Sequence, residues 1–319
     1  MKTGSFLCLF LCWVNFLNAQ SKQGDTHDTT YYTSFTDKLV SRGFLDQRYT
    51  KLRLSDSEDG SNLTYKPDNV LSLGTGVSYG WFTFNLSYGF GFLNSSKDKG
   101  TKYFNLQSHS YSQKNIVDLF AQFYSVKPSF KTQFFGGSYQ YVFNNKRFSY
   151  RAAFLQNEWQ KKSSGTFLLG AETYFGTVKG DSTIIPVSNP GSAGELKNHT
   201  VRFYEFGPNI GYTYTLVIKQ HFSVTGSLSV SMDYGRIIFE SDVGKNHKDG
   251  FNPNFFTRVS GGYTTNKWAL NAIWLNDNIR MKGKDNSRKL NIDNGNVRIV
   301  YTYRFNTGPK FKKKLRFLN

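Results

Sequence analysis

Between Trp81 and Leu93 the chain alternates with a period of two. Phe82, Phe84, Leu86, Tyr88, Phe90 and Phe92 share one parity, while Thr83, Asn85, Ser87, Gly89 and Gly91 take the other. Successive side chains of a β-strand point to opposite faces, so this stretch is a strand with one large apolar face and one small polar face. The preceding run repeats the pattern: Leu71, Leu73, Thr75, Val77 and Tyr79 oppose Ser72, Gly74, Gly76, Ser78 and Gly80. A strand between lipid and a polar lumen requires this division, whereas a soluble sheet rarely gathers so many large apolar residues on one face.

Further strands are predicted near 102–112, 114–126, 131–143, 147–157, 166–178, 201–217, 220–240, 253–264, 267–281 and 295–306. Turn residues such as Asn144-Asn145-Lys146 and Gly283-Lys284-Asp285-Asn286 separate them. The expected fold class is all-β, a transmembrane antiparallel up-and-down β-barrel of about 12 strands. With both chain ends in the periplasm, the gaps at 179–200, 241–252 and 282–294 fall outside, as long outer loops should. In the first half the longer gaps then fall inside, against that rule.

Four regions are expected along the chain. Residues 1–19 read as a signal peptide, with Lys2 before the apolar run Phe6–Leu17 and a cleavage site after Ala19. Residues 20–69 read as an N-terminal periplasmic or plugging segment, with a short helix starting at Thr33 or Ser34; a strand at 49–56 is the alternative. Residues 70–306 form the barrel and 307–319 a basic tail containing Lys310, Lys312, Lys313, Lys314 and Arg316. The last strand ends in alternating Tyr301, Tyr303 and Phe305, the kind of aromatic terminus that barrel-assembly machinery reads.

Composition narrows the class. Aromatic residues make up 17% of the chain and hydrophobic residues only 38%, which suits aromatic girdles around a wet lumen better than a soluble core. The net charge of +18 is compatible with nucleic acid, but an exported barrel meets outer-membrane lipids and lipopolysaccharide phosphates instead. The cysteines, Cys8 and Cys12, both fall in the signal, so the mature chain forms no disulfide.

The run from Phe148 to Gly170, F-S-Y-R-A-A-F-L-Q-N-E-W-Q-K-K-S-S-G-T-F-L-L-G, resembles a segment of a Bacteroidota outer-membrane barrel family classed as a domain of unknown function (domain of unknown function 4421). Tyr32-Thr33-Ser34-Phe35-Thr36-Asp37-Lys38 and the glycine-rich Leu73–Phe92 hairpin are similar to that family too. The resemblance spans essentially the whole mature chain. It implies an exported outer-membrane barrel of a Gram-negative bacterium and carries no active site to transfer.

Candidate chemistry is sparse. No metal-ligand spacing or cofactor motif is present, and Gly74-Thr75-Gly76-Val77-Ser78-Tyr79-Gly80 misses a nucleotide fingerprint by one position, with no helix after it. Among the histidines, His109 faces the lumen while Ser110 faces lipid, and His199 and His247 fall in outer loops, so no Ser–His pairing follows. Parity points Asp118, Arg151, Glu172, Glu205, Asp233, Arg258, Arg298 and Arg304 inward. Charges of both signs in a narrow interior make either a salt-bridged brace or a polar, mildly anion-favouring pathway, and the brace is the commoner outcome. The leading functional expectation is a structural or surface-binding barrel without catalytic chemistry. A pore for small solutes, anionic ones included, and a membrane-embedded hydrolase of lipid or peptide are the alternatives.

Overall fold

The first long strand, β2 (Lys38–Asp56), pairs antiparallel along its whole length with the last, β15 (Arg288–Asn306), from Lys38 opposite Asn306 to Asp56 opposite Arg288. The two ends of the chain therefore meet inside one sheet. This computed structural model describes residues 27–56, 62–65, 71–80, 82–90, 101–126, 130–180, 198–241, 244–282 and 288–315. The signal peptide, Trp81, the 94–100 turn and the 181–197 loop expected from the sequence lie outside the described residues.

The remaining sheet strands are β4 (Leu71–Tyr79), β5 (Phe82–Tyr88), β6 (Thr101–Tyr111), β7 (Asn115–Val126) and β8 (Phe130–Val142) in the first half. The second half adds β10 (Ser164–Gly180), β11 (Asn198–Ile218), β12 (Phe222–Ser241), β13 (Lys245–Thr264) and β14 (Trp268–Lys282). Their order is β5-β4-β2-β15-β14-β13-β12-β11-β10-β8-β7-β6, with short β3 (Asn62–Tyr65) beside β2. Every pairing is antiparallel, and the two strands ending the order, β5 and β6, are neighbours in sequence. This is the up-and-down barrel that the alternation predicts.

The 12-strand path is reached through two compensating differences. The segment 20–69 is not simply a plug: its residues 38–56 are barrel wall, and β1 (Tyr32–Ser34) stands where a short helix is expected. The predicted strand at 147–157 is instead a short helix, α1 (Tyr150–Phe154), followed by β9 (Glu158–Gln160), which pairs with β1. Ser149 caps α1, its Oγ accepting from the Ala152 N–H at 2.8 Å, and Ala152-Ala153 favour the turn. With β2 counted and 147–157 removed, the first-half connections 57–70 and 89–100 fall at the end opposite the termini, where the loop rule wants them, while the connection 143–163 that carries α1 and β9 lies at the termini end. Strands β13 and β15 also begin earlier than expected, at Lys245 and Arg288. The gaps predicted at 241–252 and 282–294 are mostly strand.

Along β11 the two faces separate cleanly. Tyr204, Phe206, Ile210, Tyr212, Tyr214 and Leu216 are exposed, while Glu205, Asn209, Thr213 and Thr215 are buried. Large apolar side chains pointing outward on strand after strand form a lipid-facing belt, so the barrel spans a membrane. Near the end away from the termini the polarity reverses. On β12 the outward residues pass from Tyr234 to Arg236 and Glu240, while the inward ones pass from Asp233 to Ile237 and Phe239. Arg202, Glu240 and Lys245 form ion pairs outside there, at 3.2 and 3.1 Å. Arg236 donates to Asp249 on the same rim and holds that carboxyl below the ordinary carboxylate range. The upper strand ends thus follow the rule of a soluble sheet, apolar inside and charged outside, and the reversal marks where lipid stops.

Inside, two apolar layers occupy the lumen. The lower one packs Tyr150 and Phe154 of α1 against Phe44, Ile116, Val142, Leu168, Ile273 and Val300 of the wall. The upper one joins Phe134, Tyr174, Phe203, Phe239, Ile279 and Ile292. Two glycines of the inward face do not leave empty space: a Cβ on Gly136 would stand 2.1 Å from the Phe120 ring, and one on Gly176 2.2 Å from Phe203, whereas one on Gly250 near the rim would meet nothing within 4 Å. Rings from neighbouring strands fill what the missing side chains vacate.

Candidate functional site

The candidate site is the polar layer between the two apolar ones, together with the carbonyl end of α1 beneath it. Seven of the eight charges expected inside lie at inward positions of wall strands: Asp118, Glu172, Glu205, Asp233, Arg258, Arg298 and Arg304. Arg151 does not, because its segment is α1; it lies in the plug, 3.3 Å from Glu158.

These charges form four groups rather than one network. In the first, Arg258 spans the lumen from β13 and donates to Asp118 of β7. Its other arm donates to the Tyr150 hydroxyl of α1 at 2.8 Å. The guanidinium also lies 3.8 Å from the Phe256 ring centre, an aromatic face that offsets part of its lost hydration. Asp118 has two further partners, His109 Nδ1 at 2.6 Å and the Ser138 hydroxyl at 3.4 Å. His109 Nε2 is buried without a hydrogen-bond partner among the described residues, and no hydroxyl nucleophile contacts it.

In the second group Asp46 of β2 receives Arg298 at 3.2 Å, Arg48 at 3.0 Å and the Asn296 amide at 2.6 Å. The third sits below. Arg42 donates to the Leu155 carbonyl and Arg304 to the Gln156 carbonyl, each at 2.8 Å. Two cations therefore hold the carbonyl end of α1, where its partial negative charge lies, and fix the plug to β2 and β15.

The fourth group is acidic. Glu172 accepts from Asn209 at 2.9 Å; Glu205 accepts from Asn254 at 2.8 Å and Asn252 at 3.3 Å; Asp233 accepts from Asn254 at 2.9 Å. Amide donors, rather than cations, serve these carboxyls. Inside the lumen Gln140 of β8 donates to Asn209 and Ser229 at 3.0 and 2.8 Å, and Gln122 of β7 to Asn294 at 2.7 Å. The Gln122 bond joins strands far apart in the sheet order, whereas Gln140 bridges strands two and three places apart; both occupy lumen space a solute would need. Toward β5 the packing thins, and inward-facing Asn85 is exposed.

Sequence reasoning misses Arg42, Asp46 and Glu158, the first two because β2 is not read as wall. It also misses the asparagines and glutamines, since an inward amide gives no signal beyond its parity. Of the histidines in the hydrolase alternative, His247 is an exposed outward residue of β13. The side chain of His199 lies outside the described residues.

A family model described as a domain of unknown function (DUF4421) matches residues 26–305. No curated protein sequence matches the chain. Among solved structures, the outer membrane protease OmpT from Escherichia coli matches at 12% identity over 86% of this chain and 98% of its own, with a TM-score of 0.38. The translocator domain of autotransporter NalP from Neisseria meningitidis matches at 10% identity over 94% and 98%, with a TM-score of 0.37. The Pseudomonas putida toluene transporter TodX matches at 8% identity over 85% and 90%, with a TM-score of 0.24.

Proposed function

The chain belongs to the family described as a domain of unknown function (DUF4421), and from that premise we propose a sealed outer-membrane β-barrel with a structural or surface-binding role. In this reading it is exported by the signal at residues 1–19, inserted by barrel-assembly machinery, and embedded among outer-membrane lipids. It conducts no solute and performs no catalysis. The observation that carries the reading is the filled interior. The plug α1 fills the lumen at the end bearing the termini, the amide and ion-pair layer crosses the middle, and the apolar core fills the far end beside β2, β7, β8, β10–β12, β14 and β15. A pathway for anions would need water along Arg258 and Arg298, and both are committed to carboxylates.

Planar-bilayer recording tests the proposal. Purified full-length protein, inserted in its folded form, should give no stable unitary current in potassium chloride. Reproducible conductance steps that grow with salt concentration would replace the sealed barrel with the pore.

A further inference from the structure

Above the lipid belt, β14, β15 and β2 lie side by side, and the register turns their outward positions into a grid. Lys282 stands opposite Lys289, which stands opposite Ser55. One step down, Arg280 stands opposite Asn291 and Asn291 opposite Arg53; below that, Asn278 stands opposite Asp293 and Asp293 opposite Lys51. The nine positions hold five cations and a single carboxylate, and that carboxylate, Asp293, accepts from Asn278. Among the described residues none of the five cations is ion-paired, whereas Arg202, Arg236 and Lys245 on the neighbouring strands all are.

The grid contains a local conflict. Lys282 and Lys289 face each other directly, and like charges at that separation, about 5 Å between Cβ atoms, repel and destabilise a sheet. Lys131 and Lys179 face each other in the same way on β8 and β10, but at Lys282–Lys289 the two arginines of the next row, Arg280 and Arg53, lack an ion-pair partner among the described residues as well, an arrangement that an external anion resolves. Position says which kind of anion. Immediately beneath the grid, Trp274 Nε1 donates to the Tyr49 hydroxyl at 2.9 Å, an amphipathic aromatic pair of the sort that sits at the membrane–water boundary. Below that pair come exposed Val297, Ile299 and Leu45. An anion here lies at headgroup height, directly over the acyl-chain surface. Three strands about 4.8 Å apart and three rows about 7 Å apart make the grid roughly 10 by 14 Å, a headgroup-sized patch.

We propose that this grid binds the phosphorylated headgroup of an outer-leaflet glycolipid, with Lys282 and Lys289 bracketing a phosphate and Arg280 and Arg53 flanking it. The acyl chains run down the Val297–Ile299 face. The inference rests on the membrane-barrel reading and gives its surface-binding role a partner and a place.

The test uses full-length protein in non-ionic detergent and, as probe, a diphosphorylated glucosamine-disaccharide lipid (diphosphoryl lipid A), followed by native mass spectrometry and thermal shift. Wild type should bind it at least tenfold more tightly than Lys282→Gln/Lys289→Gln, and at least tenfold more tightly than wild type binds the dephosphorylated lipid. Inorganic phosphate at millimolar concentration should neither bind nor compete. Lys289→Glu supplies a readout that a purely structural role would not give: without lipid its melting temperature should rise as the facing pair becomes attractive, while lipid affinity falls. Equal affinity of wild type and the double variant, or of the two lipids, would overturn the site. Equally strong binding of inorganic phosphate would replace it with a solute-anion site. Unboiled protein running faster than boiled protein on a gel shows the barrel intact, so failure of the site and failure of the barrel reading are distinguishable.

Discussion

Arg258→Met is expected to destabilise the folded barrel by about 3–5 kcal/mol, the cost of stranding one partner of a buried ion pair. The Arg258 side chain is 1% exposed and that of Asp118 5% exposed, so neither charge recovers its hydration when the other is removed. The methionine fills most of the vacated volume, and the effect therefore reports on charge more than on a cavity. Tyr150 loses its donor in the same step, which loosens α1 from the wall. Adding Asp118→Asn should recover a substantial part of the loss, because the carboxylate left behind is the main penalty. Urea unfolding in phospholipid micelles, read by tryptophan fluorescence and by the shift between folded and unfolded gel bands, gives both values. A loss below about 1 kcal/mol would mean that Asp118 is hydrated and the lumen wet, since exposed pairs contribute no more than that.

Phe203→Ala should cost about 3–5 kcal/mol, as truncation of a buried aromatic does. The ring is 2% exposed in the upper apolar core, and it occupies the space over Gly176, its cross-strand partner on β10. That contact makes a sharper prediction. Gly176→Ala in the wild-type background should destabilise by about 1–3 kcal/mol, because its methyl runs into the ring. In the Phe203→Ala background the same methyl enters vacated space, so its cost should vanish or change sign. Additive effects would mean that the rim is loosely packed and the upper core does not close the barrel.

The membrane-facing half of this molecule is written plainly in its sequence. Alternation alone separates lipid from lumen on β11, β12 and β15, because Leu216 or Tyr303 outside and Thr213 or Thr302 inside obey opposite solvents. Strand β2 is nearly silent. Its outward positions Ser41, Gly43 and Gln47 are small or polar, and its inward ones include Arg42, Phe44 and Asp46, so no apolar stripe appears. The segment 147–157 misleads for the reverse reason. Phe148, Tyr150, Ala152 and Phe154 alternate with other residues as in a strand, yet both parities are buried and the real cue is a serine cap before two alanines. The upper strand ends resemble loops because the outward-apolar rule reverses there, with Arg236 outside and Ile237 inside.

For the site, parity tells which wall position faces inward but not what stands across the lumen. Asp118 and Arg258 are both legible, yet their union is not: they are 140 residues apart in the chain and meet only because the barrel is narrow. Glu172, Glu205 and Asp233 look like members of an ion-pair network, and the amides that serve them carry no charge to reveal the pairing.

The closed lumen is tested most directly by the reactivity of a single thiol within it. The chain has no cysteine beyond Cys12, so Ser229→Cys on β12, beside the inward Gln140 amide, introduces a unique reporter outside the signal region. Folded protein in liposomes should leave this thiol unlabelled by a water-soluble, charged methanethiosulfonate while Lys282→Cys on the exposed rim labels rapidly, and unfolding should equalise the two. Equal labelling of both in the folded state would contradict the sealed barrel.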